Sequence, residues 1–510
     1  MERRESTARR RGRATRVASR RGPEPEANPA PPGQSGGRYA PLTEPELVQI
    51  TEAAFTLLAE LGIGEVPAVV REAAHARGAS TDERGRLRLP RALVEEMVAG
   101  AAKEFTFHGR DPRHDISIGA ERVHFGTGGA AVQVLEPETG RYRPSTLADL
   151  RAFARLADAL PNISWFTRCC IATDIEDSFA LDVNTAHALL CGTAKPVGTA
   201  FTLASHVGPI IEMFDIALGG PGRFRERPFC KAHISPVISP MRFGEDAVEV
   251  TLECIRLGVP INCIIAAQSG ATAPATLAGF LAQSLAETLS GLVLVNLFAP
   301  GHPMIFSNWP LVIDLRTGAF CGGGGEISVM NAAAAQLANR LGLPSGVACS
   351  MADAKAVDAQ MGAEKALSAA LTGMAGANMV YEAAGMTASL LGASFEAMVL
   401  DDEMLGHVHR AIRGIEVNDE TLGLGAIREA VLGEGHFLGA AHTMAAMQRD
   451  YLYPKLADRD APAVWAEKGA RDAAARARER VREILAAPDA GHLAPEADAA
   501  IRARFPIRPG

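Results

Sequence analysis

The sequence predicts a parallel (β/α)8 TIM barrel with N-terminal helices and a helical C-terminal extension. Eight short apolar, β-branched runs recur between residues 122 and 385, and each is followed by an Ala-rich helical stretch. Their spacing of roughly 30 to 40 residues leaves room for one crossover helix apiece. The runs are continuous rather than alternating, as expected of strands buried on both faces. In such a barrel the chemistry sits at the C-terminal ends of the strands.

In order, the runs are RVHFGTG from Arg122, ISWFTRC from Ile163, PVGTAF from Pro196 and FCKAHISPV from Phe229. PINCIIAA from Pro260, PMIFSNW from Pro303, SGVACS from Ser345 and MVYEAAG from Met379 complete the set. Between them, Thr146–Leu160 opens on a Ser-Thr-x-x-Asp cap, and Gly244–Leu257 ends at Gly258-Val259-Pro260, a helix stop. Pro274–Leu297 and Glu326–Leu341 read as long Ala-rich helices, with Thr276 a candidate N-cap.

The flanks divide as residues 1–38, a disordered leader; 39–120, an N-terminal helical region; 121–402, the barrel; 403–487, a helical extension; and 488–510, a tail. Order is expected from about Ala40, with helices from Thr43 to about Leu61, over Ala68–Arg77 and over Pro90–Lys103. His108–Gly119 reads as turns, and Arg471–Leu485 as a charged helix facing solvent or an oligomer contact.

The net charge of −8 is unevenly spread. Residues 1–21 hold nine Arg against Glu2 and Glu5, a charge of +7 that leaves −15 on the remainder. The Pro/Gly/Ser-rich stretch Gly22–Gly37 cannot build a core, so the basic segment reads as a solvated leader rather than a nucleic-acid or lipid arm. No apolar stretch follows its arginines, which argues against secretion. No run of 18 consecutive apolar residues marks a membrane span. Eight scattered cysteines, without a CxxC pair or a His/Cys ladder, suit reduced thiols in a cytoplasmic protein and argue against a metal site.

Candidate residues follow from the strand ends. Gly126-Thr127-Gly128-Gly129 offers backbone N–H groups to an anion, or is simply a tight turn. His233 ends the fourth run, and Gln268 lies just beyond the fifth. The sixth carries Phe306 and Trp309, then Asp314 and Arg316, then Gly322-Gly323-Gly324-Gly325 before Glu326. Four glycines in a row imply close backbone approach or motion. Glu326 suits a helix N-terminus, whether as a functional carboxylate or as an ordinary first-turn acid. Asp314 and Arg316 read equally as a structural ion pair. Tyr381 and Glu382 end the eighth run; a carboxyl in a barrel mouth must meet a cation or hold its proton.

Several blocks from Tyr39 to Arg459 resemble the trimethylamine methyltransferase (MttB-like) family. They are FGTGGAAVQVLEPETGRYRPSTLADL, HISPVISPMRFGEDA, AAQSGATAPATLAG, VIDLRTG, SMADAKAVDAQMGAEKA and GEGHFLGAAHTMAAMQRDYLYPKLADR. The resemblance implies a (β/α)8 barrel that moves a methyl group from a methylated amine to Co(I) of a separate corrinoid protein. The founding enzyme of that family carries pyrrolysine, whose equivalent here falls in the loop after strand seven, near Ala356. Every residue of this chain is a standard one. The resemblance therefore favours the non-pyrrolysine branch, which includes glycine betaine methyltransferases, and a quaternary ammonium donor.

The chemistry of such a donor agrees. Its leaving group is already a neutral amine, so the protein needs to supply position and electrostatics rather than covalent activation. Aromatic faces and carboxylates hold the cation. Phe201, Phe306, Trp309, Tyr381 and Phe395 are the candidate rings, each equally readable as core packing, with Glu326 and Glu382 as countercharges. Arg316 is the candidate fork for a betaine carboxylate. None of the thirteen histidines stands in Asp-x-His-x-x-Gly, so cobalamin is expected on a partner corrinoid protein and no cofactor on this chain. A homo-oligomer is expected; nucleic-acid and membrane partners are not. Two other readings remain: a Schiff-base lyase or aldolase using Lys231, and a methylamine-binding protein that transfers nothing.

Overall fold

The computed structural model describes residues 28–509. Eight parallel strands form the centre: β1 (Arg122–Phe125), β2 (Phe166–Thr167), β3 (Val197–Thr199), β4 (Cys230–Ile234), β5 (Ile261–Ile265), β6 (Met304–Asn308), β7 (Ser345–Ala348) and β8 (Met379–Tyr381). Each pairs with the next from β2 to β8, and β8 pairs with β1. The ring closes between β1 and β2, where Gly126 bridges Trp165 and the Ser164 N–H donates to the Phe125 carbonyl at 2.7 Å. All eight runs read from the sequence are barrel strands.

The crossover helices are α1 (Leu147–Ala159), α2 (Ser178–Gly192), α3 (Ala204–Ala217), α4 (Glu245–Leu257), α5 (Leu277–Phe298), α6 (Gly325–Arg340), α7 (Ala359–Met374) and α8 (Phe395–Arg413). Short polar side chains set their starts: Thr146 and Asp149 cap each other reciprocally, and Asp177, Asp358 and Ser394 each accept from a first-turn N–H. Gly258, at φ +79°, ends α4 in the left-handed conformation that glycine adopts without a Cβ clash. Among the described residues, α5 alone is long and apolar enough to cross a bilayer, but 83% of its most apolar stretch is buried. It packs between β5 and β6 and the helices Glu44–Thr56 and Arg91–Gly100, so its apolar surface is core.

Strand alternation sorts side chains into two layers. On β4, Cys230, Ala232 and Ile234 join the large cluster between strands and helices, whereas Lys231 and His233 meet the rings inside the barrel. The interior cluster holds Trp165, Ile264, Ile305, Trp309, Met379 and Tyr381. Its floor is a hairpin, Glu104–Phe107 paired with Ile116–Gly119, which inserts Phe107, Ile116 and Ile118.

Several boundaries differ from the sequence reading. Ile116–Gly119, expected as turn, is a strand because its alternate side chains plug the barrel. A second hairpin, Ser80–Thr81 with Leu87–Arg88, interrupts the expected helical region 39–120. Order begins before Ala40: Gln34–Ser35, in the expected disordered leader, pairs antiparallel with β1. Residues 1–27 of that leader lie outside the described residues. Helix α8 runs through the expected boundary at 402/403. Ala473–Ala486, expected to face solvent or another subunit, packs on α8 and α1 and buries Ala477, Val481 and Ile484. The tail 488–510 contains a further helix, Pro495–Arg504.

Candidate active site

Tyr381, the last residue of β8, is the hub of the barrel interior. Its ring centroid lies 5.2 Å from Trp165, 5.1 Å from Trp309 and 5.7 Å from His233, and His233 lies 5.4 Å from Trp309. Beneath them the chain supplies its own cation. Lys231 Nζ sits 4.8 Å from the Tyr381 ring, 5.6 Å from Phe107 and 5.9 Å from Trp165, and donates to Thr167 Oγ1 at 2.7 Å. Gly198 on β3 makes the room, since a Cβ there would lie 2.5 Å from Nζ. Burial pushes the Lys231 ammonium down to about 7. A depressed lysine suits a Schiff-base nucleophile, but this one is fully enclosed, which disfavours the lyase reading.

One residue beyond Tyr381, Glu382 adopts φ +59°, a left-handed conformation uncommon for a residue other than glycine. It is buried, and Gly128 and Gly129 of the turn after β1 give it space: Cβ atoms there would lie 3.0 and 2.7 Å from its carboxylate oxygens. Burial raises the Glu382 carboxyl to about 8, against the opposing pull of Lys365 and Arg168. Its Oε2, the Trp309 Nε1–H and both amide atoms of Asn308 are buried without hydrogen-bond partners. Leaving such groups unpaired costs about 1–3 kcal/mol each. The Glu382 and Trp309 atoms stand at the ends of β8 and β6 where a ligand would meet the barrel, whereas Asn308 shares the outward side of β6 with Phe306.

Arg168 completes the site. It follows β2 directly, its own N–H donates to the Gly198 carbonyl at 3.2 Å, and its side chain is half-buried. No hydrogen bond or ion pair with the described residues engages its guanidinium. Burial lowers its pKa, while Asp182, Cys170, Cys169 and Glu382 act in the opposite direction. Asp182 is itself taken up by the Thr202 N–H and hydroxyl and by His206. Lys365, the other nearby cation, is neutralised by Asp401 at 2.9 Å.

The residues expected from sequence divide sharply. Tyr381 and Trp309 meet inside the barrel, and Glu382 stands one residue beyond Tyr381 against the turn after β1. Phe306 and Phe201 do not join them: Ile305 and Trp309 occupy the inner face of the β6 run, so Phe306 points outward, and Phe201 and Phe395 join the same outer cluster, Phe395 stacking on Phe153 at 4.1 Å. Arg316 is 87% exposed and bound to Asp314 at 2.7 Å on a surface hairpin, so the ion-pair alternative describes it. Glu326 is exposed on the first turn of α6, and Ala356 is exposed in the loop after β7. Gln268 is half-buried in a small sheet with Leu311–Ile313 beyond β5.

The glycine run owes its composition to close approach. A Cβ on Gly322 would lie 1.8 Å from the Met351 carbonyl oxygen. Asp353 accepts from the Gly322 N–H at 2.7 Å, the Gly323 N–H at 3.1 Å and the Ser389 hydroxyl at 2.7 Å, tying together the loops after β6, β7 and β8. Arg168 was missed from sequence, and Asp353 was read only as one residue of the loop after the seventh run. The signal for Arg168 was an Arg closing an otherwise apolar strand run; Asp353 had none beyond its place in the seventh loop. Away from the mouth, His187 and Cys191 of α2 lie beside Asp498, with His187 Nε2 2.7 Å from Asp498 Oδ1 and burial raising Cys191 to about 11.

Comparison with known proteins places the chain in a family. The family model "Trimethylamine methyltransferase (MTTB)" matches residues 9–508. The chain is 34% identical over 399 residues to trimethylamine methyltransferase MttB of Desulfitobacterium hafniense (strain DSM 10664 / DCB-2), covering 78% of this chain and 79% of that one. It is 29% identical over 476 residues to a glycine betaine methyltransferase of Desulfitobacterium hafniense (strain Y51), covering 92% and 97%. Among solved structures, the monomethylamine methyltransferase (MtmB) of Methanosarcina barkeri aligns at TM-score 0.44 and 13% identity over 89% and 95% of the two chains. With the family model spanning nearly all of its length, the chain belongs to the trimethylamine methyltransferase family of enzymes.

Proposed function

We propose that this enzyme takes a methyl group from a quaternary ammonium carboxylate, of which glycine betaine is the simplest, and delivers it to Co(I) of a corrinoid carried by a separate protein. Relatives named as trimethylamine and glycine betaine methyltransferases support a methylated amine as the donor. The observation that carries the finer reading is the unengaged Arg168 guanidinium beside Glu382, whose buried Oε2 has no partner. One group suits a carboxylate, the other a quaternary nitrogen, and trimethylamine offers nothing to the first.

The corrinoid, as co-substrate, supplies the nucleophile. The methyl–nitrogen bond breaks with both electrons left on nitrogen, which departs as a neutral tertiary amine without needing a proton. This chain's residues bind and orient. Arg168 forks the carboxylate, the ionised Glu382 and Trp309 hold the ammonium, and the aromatic wall with Tyr381 behind them excludes water. Lys231 already fills the space beside the Tyr381 ring inside the barrel, which leaves the substrate cation the side toward the mouth. In the test, glycine betaine, choline and trimethylamine are each supplied with cob(I)alamin, and methylcobalamin is followed by absorbance. Turnover of glycine betaine with formation of dimethylglycine is expected; turnover of trimethylamine alone would reject the reading.

A further inference from the structure

One inward side chain of β4 is held with more care than packing requires. His233 meets Trp309 and Tyr381 inside the barrel, yet it is half-buried where Trp165, Trp309 and Tyr381 are buried. Its Nδ1 lies 3.2 Å from the Nδ2 of Asn262, its direct neighbour on β5. The Oδ1 of Asn262 in turn accepts from the Ser307 hydroxyl on β6. Asn262 and Ser307 are fully buried, and Gly346 on β7 leaves the space for Ser307, since a Cβ there would stand 1.9 Å from its Oγ. An amide and a hydroxyl are costly to bury, and a satisfied polar chain of this kind fixes the groups that it joins.

What it fixes is the tautomer of His233. An amide nitrogen donates and does not accept, so Asn262 Nδ2 requires a bare Nδ1, and the one proton of a neutral imidazole then sits on Nε2. The ring is neutral, because burial, with Lys231 and Arg168 nearby, holds its pKa well below the ordinary 6.5. Nε2 has no hydrogen-bond partner among the described residues and, unlike Trp309 Nε1, is not closed off. The ring therefore presents an N–H, not a lone pair, to whatever enters the barrel. An N–H meets a carboxylate oxygen and turns away a quaternary nitrogen; the other tautomer would do the reverse. Arg168 acts electrostatically on this same ring, so the two donors suit one end of a ligand.

We propose that His233 is a specificity-determining residue whose Nε2–H donates to the substrate carboxylate beside the Arg168 fork, with Asn262 and Ser307 as positioning residues that keep the proton on Nε2. This rests on the carboxylate-bearing donor proposed above and adds the direction in which it lies, carboxylate toward β2 and β4, ammonium toward Glu382 and Trp309. Calorimetry with glycine betaine and with choline, on the full chain and two variants, tests it. His233→Phe keeps a ring and loses the donor. It is expected to bind glycine betaine about tenfold to a hundredfold more weakly, the loss of one hydrogen bond to a charged group, and choline within about twofold of the parent. His233→Gln, whose amide N–H reaches near the same point, is expected to recover most of that loss. Equal losses on both ligands, or a Gln variant as weak as the Phe variant, would overturn the assignment. Nitrogen NMR on isotope-labelled histidine reads the tautomer in the unmodified enzyme. The ring whose signals move when glycine betaine is added is expected to carry its proton on Nε2. Asn262→Asp, which accepts where Asn262 donates, is expected to draw a proton onto Nδ1, and unchanged signals would remove Asn262 from the relay. A parent proton on Nδ1, or glycine betaine bound with no ring responding, overturns the role of His233 alone. An unmodified enzyme that binds no glycine betaine overturns the proposed donor, and this role with it.

Discussion

Arg168 and Glu382 stand at the ends of β2 and β8, on either side of the glycine turn that follows β1, close enough for their charges to interact but not joined in an ion pair. Two opposite charges left apart in a barrel mouth form a template for a zwitterion. The pairing makes binding pH-dependent. With Glu382 at about 8, the carboxyl holds its proton at neutral pH and must lose it to face a cation. Affinity for a quaternary ammonium therefore rises as pH climbs toward about 8, by up to about tenfold per unit, and levels above it. Titration calorimetry across this range checks the slope, and Glu382→Gln is expected to flatten it and weaken binding. The same raised pKa costs folding stability as pH rises from the ordinary carboxyl value of 4.5 to about 8, so the Gln variant gains in relative melting temperature across that window and no further above it. Affinity that ignores pH would remove Glu382 from the cation site.

The proposed function assigns the choice of substrate to Arg168. Arg168→Met is expected to lower kcat/KM for glycine betaine by about a hundredfold or more, the loss typical of removing one partner of a desolvated charge pair. Choline, which has no carboxylate, should be little affected. Lysine is a poor replacement because a point charge cannot fork two oxygens. Parallel losses on both substrates would mean that Arg168 shapes the barrel instead of reading the carboxylate.

The division between what sequence revealed and what it hid follows from period and exposure. Eight buried strands and their caps announce themselves through composition and spacing, and Tyr381 and Glu382 are placed by ending such a run. Phe306 failed because a strand buried on both faces gives no alternation from which to read inward from outward. Arg316 failed because an arginine beside an acid in a Gly-closed turn has the same pattern whether it binds substrate or its neighbour. The unengaged state of Arg168 is a property of what does not touch it, and only coordinates show that.

Lys231 offers a separate check on the interior. Its ammonium is depressed from the ordinary 10.5 to about 7, so the native state releases a proton that the unfolded chain keeps. Stability from this position is present above about 10 and lost as pH falls toward 7. Lys231→Met, similar in volume, is therefore expected to melt higher than the parent at pH 7, with the gap closing toward pH 10. Borohydride added with small aldehydes is expected to leave Lys231 unmodified, since Nζ has no exposure. A trapped adduct there would revive imine chemistry.

The glycine run separates a hinge from a clasp. Gly322 lies against the Met351 backbone, where an added Cβ would stand 1.8 Å from the carbonyl oxygen, whereas a Cβ on Gly325 would meet nothing. Backbone cannot rotate away as a side chain can. Gly322→Ala must displace the loop after β7 and strain the Asp353 hydrogen bonds that join the loops after β6, β7 and β8. The cost is about 1–3 kcal/mol, as for other overpacked sites, with kcat falling as the mouth loses its shape. Gly325→Ala should leave both melting temperature and turnover near the parent. Thermal melts and initial rates on the two variants decide it: equal behaviour would make the run a slack connector, and a loss confined to Gly322→Ala would make it the clasp that holds the barrel mouth together.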